Sequence, residues 1–274
     1  MKYPVYFSLL LSVLLCACAD RPAPSSYVYA KESAAFQARL SAQDEVVARY
    51  VAEDDTAMIK QSLQKRMDLQ DEQREAALRF AADHPDLTES AHWLHAYMQS
   101  APRPRVREVY DGFSAAVKAT ENGRLIEKFL AIEKVVVGDP YRDFEALDEA
   151  ENLVRFSDVK GERYTLLFFT ATWCGPCKVV AKELAPFIAA HDELTAVSLW
   201  IDKDVAKWKK TELYPWQNLI DPQGTDGLPF MSYGAGAPYF VLIDEADKVV
   251  FSSPGYGAFV EEEVSKLMGL KTSK

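Results

Sequence analysis

RYTLLFFTATWCGPCKVVAKELAPFIAAH, residues 163–191, decides how this chain is read. RYTLLFFTA is a continuous apolar run suited to a buried central strand. CKVVAKELAPFIAAH repeats its apolar residues at helical spacing, with Val179/Val180, Leu184 and Phe187/Ile188 on one face. Between the two lies Trp173-Cys174-Gly175-Pro176-Cys177-Lys178. A cysteine at a strand-to-helix switch sits where free N–H groups and the helix macrodipole stabilise a thiolate. Cys174 takes that place, and Cys177 follows one turn into the helix on the same face. Pro176 is tolerated there because the first turn has no N–H bond to lose.

Three chemistries suit two cysteines at this spacing. A zinc half-site needs two more ligands. The chain has no second cysteine pair, and its four histidines are His84, His92, His95 and His191. His92 and His95 share a helical face far away in sequence, so no metal is expected. A structural disulfide across three positions closes a tiny loop and constrains the unfolded chain little. A redox dithiol accounts for the pattern, with Cys174 attacking a substrate disulfide and Cys177 resolving the mixed disulfide. Trp173 is expected to shield the pair.

Outward from this motif, the chain changes texture at Val137-Gly138-Asp139-Pro140. C-terminal to that point, NLVRFSDV and TAVSLWID are strand-like, PYFVLIDEADKVVFSS is a strand, a turn at Asp244 to Asp247 and a second strand, and AFVEEEVSKLMGL is a closing helix. Strand, helix, strand, hairpin and helix in that order predict an α/β sheet covered by helices. Tyr214, Pro215 and Trp216 with DPQGTDGLPFMSYGAGA read either as a surface loop or as a wall facing substrate. Pro238 opens a strand, a permitted place for proline.

Residues 31–137 read as helices throughout. Phe36, Leu40, Val47 and Tyr50/Val51 recur at near-helical spacing, and Asp54 or Asp55 is placed to cap the next segment. There Met58/Ile59, Leu63, Met67, Leu78 and Phe80/Ala81 make an interrupted stripe that Pro85 ends. Thr88 is a cap for TESAHWLHAYMQS. RVREVYDGFSAAVKAT is a further helix, and Asn122-Gly123 is expected to break the chain before RLIEKFLAIEKVV.

The motif Trp173-Cys174-Gly175-Pro176-Cys177-Lys178 resembles the thioredoxin active site. The wider pattern over roughly residues 137–270 is similar to the TlpA/ResA-type branch, membrane-tethered thiol–disulfide oxidoreductases of the bacterial envelope. The resemblance implies a thioredoxin fold, a central mixed sheet flanked by helices, preceded here by an all-α N-terminal domain. It also implies that Pro238 in GAGAPYFVLIDEADKVV is a cis-proline facing the dithiol, with Ala237 offering backbone groups to an extended substrate chain. Gly175, Pro176 and Lys178 complete the surround. Two departures stand out. The acid that thioredoxins bury before the motif is replaced by Phe168, and the glutamate that the TlpA/ResA-type branch often carries one turn after the second cysteine is replaced by Val180. Lys182 stands where thioredoxin helices often carry a kinking proline, and Pro186 comes a turn later. No dissociable cofactor is expected, only the redox-active Cys174–Cys177 pair.

At the other end, MKYPVYFSLLLSVLLCACAD has one basic residue and an apolar run too short to span a bilayer, the pattern of a secretory signal. Leu15-Cys16-Ala17-Cys18 resembles a bacterial lipoprotein signal with Cys18 as the lipidated residue. The expected order is therefore a signal at 1–17, a tether at 18–30, a helical domain at 31–137 and a thioredoxin-like domain at 138–274. A mature chain starting at Cys18 keeps only Cys174 and Cys177 as thiols. With 274 residues, 26% charged, and a net charge of −10, the chain lacks the basic stripe that nucleic acid needs. The expected partners are protein thiols and disulfides, a membrane through the lipid anchor, and a membrane electron donor, in a periplasm-facing setting. The alternative class is a weakly active or inactive thioredoxin-fold binding or scaffold lipoprotein.

Overall fold

The computed structural model describes residues 26–53, 55–234, 236–254 and 257–270. The expected signal and Cys18 lie outside the described residues. Two compact units divide the chain, residues 1–69 and 70–274. The change from helices to sheet near residue 138 falls inside the second unit.

In the first unit, α1 (Ser26–Ala52) begins within the stretch expected to be a tether. It runs beside the first part of α2 (Thr56–Asp83). On α1 the covered residues Ser33, Phe36, Leu40, Gln43 and Val47 alternate steps of three and four, the spacing of a helix seam. The Gln43 amide donates to the Ser62 carbonyl at 3.0 Å, and Arg66 pairs with Asp44. Asp55 accepts from the Met58 N–H at 3.0 Å, the expected cap. Leu78, Phe80 and Ala81 of the expected stripe are buried, but Met67 is 52% exposed; at that level Ser62, Arg66 and Leu69 form the covered row.

Among the described residues, the second unit holds two large cores and a smaller cluster of Trp200, Trp208 and Ile220. Helices α3 (Thr88–Tyr97), α4 (Arg103–Gly112), α5 (Ala115–Lys118) and α6 (Glu121–Ala131) enclose Leu94, Met98, Val106, Val117, Ile126 and Phe129. Two expectations change here. The segment 105–120 is not one helix, because the chain turns extended at Phe113 and restarts with the Ser114 side chain as cap. Asn122-Gly123 is not a break, because the Thr120 hydroxyl caps the helix and Gly123 sits in its first turn. A Cβ on Gly123 would stand 2.4 Å from the Val117 carbonyl, so the glycine permits close packing rather than a turn. Thr88 does not cap α3, whose cap position is Leu87 without a side-chain bond.

The second core is a seven-stranded sheet. Its strands are β1 (Glu145–Leu147), β2 (Leu153–Arg155), β3 (Tyr164–Thr170), β4 (Leu194–Trp200), β5 (Gln217–Ile220), β6 (Tyr239–Ile243) and β7 (Val249–Pro254), in the order β2-β1-β5-β4-β3-β6-β7. β3 pairs in parallel with β4 and antiparallel with β6, and β4 pairs in parallel with β5. Six of the seven β3 residues are buried, which is why its sequence runs apolar without alternation. NLVRFSDV is a strand only to Arg155; Phe156 starts a short helix, α7 (Phe156–Val159). Helix α8 (Gly175–Ala189) follows β3, α9 (Val205–Trp208) follows β4, and α11 (Gly257–Leu267) closes the chain beside α8.

Between β5 and β6 lies α10 (Leu228–Tyr233), a helix that the glycine-rich sequence did not announce. It joins the two cores. Met231 is buried among α3–α6, while Phe230 and Tyr233 meet Phe169 of β3. Arg103 of α4 donates to the Met231 carbonyl and lies 4.2 Å from the Phe129 ring centre.

Candidate active site

The end of β3 delivers the dithiol. After Thr170 the chain turns, and the Cys174 N–H bonds the Ala171 carbonyl at 3.0 Å. Cys174 is the N-cap of α8, with Gly175 and Pro176 in the first turn. Its Sγ accepts from the Cys177 N–H at 3.2 Å. The sulfur therefore receives one of the free donors that every helix start leaves, along with the macrodipole. The two cysteines form a disulfide across Cα atoms 5.3 Å apart. Cys177 is fully buried and Cys174 is 3% exposed.

Trp173 projects from the turn and is 62% exposed, so its indole is presented to solvent rather than folded over the pair. Gly175, Pro176, Lys178 and Val179 are exposed beside it. A Cβ on Gly175 would meet nothing within 4 Å, which leaves this side of the turn open to an approaching chain.

The Ala237–Pro238 bond is cis, and Pro238 immediately precedes β6. Because β6 runs antiparallel to β3 with Tyr239 opposite Phe169, the register carries Pro238 to the level of Thr170. The dithiol turn and the Ala237–Pro238 bond thus share one end of the sheet.

Four features of the site escaped sequence reading. Asp202, just past β4, accepts from both the Thr172 N–H at 2.8 Å and the Thr172 hydroxyl at 2.7 Å, tying the residue before Trp173 in place. An aspartate directly after the strand SLWI was the available signal. The second feature is the aromatic stack built around the acid position. Phe168 is buried and stacked on Phe240 at 4.5 Å and on Tyr214 at 5.6 Å. Third, Tyr214 also stacks on Trp200 at 5.0 Å and its phenol bonds the Thr170 hydroxyl at 3.0 Å. Burial pushes the Tyr214 phenol up, against the opposing pull of the Thr170 bond. The stretch at Tyr214 thus puts its phenol against the sheet face and forms β5 soon after.

The fourth feature lies away from the sulfurs. Asp226 accepts from His95 of α3 and from Lys203, each at 2.6 Å. Burial alone would raise its carboxyl, but the His95 and Lys203 bonds and charges outweigh that and hold it at about 2. Lys128 of α6 donates to the Asp226 carbonyl at 2.9 Å. His95, weighed in the sequence as a metal ligand, is committed to this carboxylate. His92 stacks edge-on against Trp93. Among the described residues no cluster of His, Cys, Asp and Glu is arranged to hold a metal ion.

Comparison with known proteins centres on the same region. The AhpC/TSA family model matches residues 137–252. Thioredoxin of Alicyclobacillus acidocaldarius subsp. acidocaldarius is 38% identical over 47 residues, 17% of this chain and 45% of that one. Thioredoxin of Echinococcus granulosus is 34% identical over 59 residues, 21% of this chain and 55% of that one. The chain thus spans about half the length of the curated relatives it matches. Among solved structures, the thioredoxin domain of a thiol-disulfide oxidoreductase from Bacteroides vulgatus superposes with a TM-score of 0.44 at 22% identity, covering 49% of this chain and 99% of that one. A thiol:disulfide interchange protein from Bacteroides sp. gives a TM-score of 0.44 at 19% identity, covering 51% and 94%. Residues 137–252 are thus similar to the AhpC/TSA family, and a shorter part of the chain is similar to thioredoxins.

Proposed function

We propose that this chain reduces disulfides of protein substrates in the bacterial envelope, held to a membrane by lipid on Cys18. The observation that carries the chemistry is Cys174 at the α8 N-cap, its sulfur accepting the Cys177 N–H. In the reduced protein, the Cys174 thiolate attacks one sulfur of a substrate disulfide, and the other leaves as a thiolate. The Cys177 thiolate then attacks Cys174 Sγ, releases the second substrate sulfur, and leaves the Cys174–Cys177 disulfide. Two electrons have moved to the substrate, and a membrane donor returns them. No dissociable cofactor enters this cycle. Trp173, exposed beside Cys174, and the Ala237–Pro238 backbone at the same end of the sheet are suited to hold an extended chain.

The direction rests on the Gly-Pro dipeptide, which resembles that of thioredoxin. No described helix is long and apolar enough to cross a membrane. The departures at Phe168 and Val180 favour the alternative, a binding or scaffold lipoprotein with little activity. Reduction of insulin disulfides by the dithiothreitol-primed protein separates the two. Turnover lost in Cys174→Ser supports the oxidoreductase; no turnover by the wild-type chain leaves the scaffold.

A further inference from the structure

Resolution poses a proton problem. Cys177 is fully buried, and a thiol must lose its proton before it attacks. An apolar surround disfavours a bare thiolate, so the proton needs an acceptor or a way out. The two positions at which the resemblance supplies a carboxylate hold Phe168 and Val180, each buried.

Two polar pairs occupy the same side of the sheet: the Ser198 hydroxyl accepts from the Trp216 indole at 2.7 Å, and the Thr170 hydroxyl meets the Tyr214 phenol. Phe168 and Thr170 are two apart on β3 and share a face. Tyr214 stacks on Phe168 and bonds Thr170, so it lies on that face too. It also lines a cavity of about 510 Å³ with Lys178, Ala181 and Lys182, which identifies the face as the one beneath α8. Ala181 is one helical turn beyond Cys177 and on its side of the helix. The outer lining residues Lys178, Lys182, Glu212 and Pro215 are exposed, so the cavity opens to solvent.

We propose that the Thr170 and Tyr214 hydroxyls form the exit for the Cys177 proton, handing it to water in the cavity on the flank of α8. The proposal rests on the oxidoreductase reading and adds the route that its second step needs. The Cys177 thiol gives its proton to the hydroxyl pair as the pair gives one of its own to water. The freed electron pair on Cys177 forms the bond to Cys174 Sγ, the bond from Cys174 to the substrate sulfur breaks, and that sulfur leaves as a thiolate. A neutral phenol acts here as a relay, not a base, consistent with burial raising Tyr214. The groups that face it from the packed elements are few. Lys178 and Lys182 of α8 and Glu212 of its own loop border the cavity. Phe168 and Trp200 are uncharged, Asn218 of β5 holds the Tyr214 carbonyl at 2.9 Å, and Asp202 is taken up by Thr172. The two lysines favour departure of a proton.

The test uses the reduced full chain and a chromogenic aryl disulfide in stopped flow. Attack by Cys174 releases the first aryl thiolate, and attack by Cys177 releases the second. Rates are followed between about pH 6 and about pH 9, a span that brackets the ordinary cysteine range. Tyr214→Phe keeps the stacked ring, and Thr170→Val keeps the branched shape. Each is expected to leave the first release unchanged and to slow the second roughly tenfold to a hundredfold, the low end for lost proton transfer. Each also moves the rise of the second rate to higher pH, and the double variant is no slower than the slower single. A second release equal to wild type at every pH overturns the proposal, as does equal slowing of both releases. If the wild-type chain releases neither aryl thiolate, the oxidoreductase reading fails first and this route with it.

Discussion

Two regions of the second unit treat buried polar groups in opposite ways. Beneath α8, the sheet face carries Phe168, Phe240, Trp200 and Tyr214, and its polar groups are uncharged: the Thr170 and Tyr214 hydroxyls, Ser198 with the Trp216 indole, and the Asn218 amide with the Trp200 indole. At the junction of α3 with the segment after β5, an ionised Asp226 is held between His95 and Lys203. The difference follows from what each place offers a charge. A charge at the junction is matched by fixed partners and holds distant segments together. Beneath α8 the stacked rings offer a carboxylate no partner, so its desolvation there would go uncompensated.

The comparison is broken most severely at the sulfur itself. Cys174→Ser is expected to abolish disulfide reduction while leaving the thermal midpoint of the folded chain close to that of the reduced wild type, checked by insulin turnover and calorimetry. The next largest effect tests the aromatic face. Phe168→Asp restores the carboxylate that the resemblance calls for, but removes a ring stacked on two others. It is expected to lower stability by about 3–5 kcal/mol, the range for losing a buried aromatic, with an unpaired buried carboxyl adding to the loss. Urea unfolding reads this directly, and a variant as stable as wild type would show that the face accommodates charge after all.

Smaller effects belong to the junction. A Cβ at Gly227 would stand 1.7 Å from Asp221 Oδ2. Gly227→Ala should therefore destabilise by about 1–3 kcal/mol through overpacking, without altering the aryl disulfide kinetics. Asp226→Asn leaves His95 and Lys203 without a charged acceptor and is expected to lower stability at neutral pH by about 1–2 kcal/mol, given how exposed Lys203 is. Its signature is the pH dependence. The folded carboxyl lies at about 2 against an ordinary 3.8, so its contribution is complete above the ordinary value and is lost as pH falls from there toward 2. Denaturant midpoints measured across that window should fall less steeply in Asp226→Asn than in wild type. Parallel profiles would show that the pair contributes nothing to acid stability.

The dithiol was legible because its signals are local. A strand, a turn and a helix start lie within twenty residues, and proline and cysteine at the first turn carry their own physical reasons. The turn at Asp244 was readable for the same cause: its carboxylate accepts from the N–H groups of Ala246 and Lys248. β5 and α10 escaped because both are short and set in a segment rich in glycine and proline, where packing overrides propensity. Met67 was misread because an apolar residue one position from the seam is indistinguishable by composition from one on it.

By itself the sequence determined the α/β class of the C-terminal part, the helical texture before it, and Cys174 and Cys177 at a helix start. Those rest on periodicity and on neighbours within a turn or two, which the chain order states outright. Only the tertiary structure decided that the helices after Leu69 share a unit with the sheet, and that Met231 inserts among them. It alone brought Tyr214 to Thr170 and His95 to Asp226. Contacts between residues 44 and 131 positions apart depend on how the sheet and helices close on one another, and no local spacing encodes that closure.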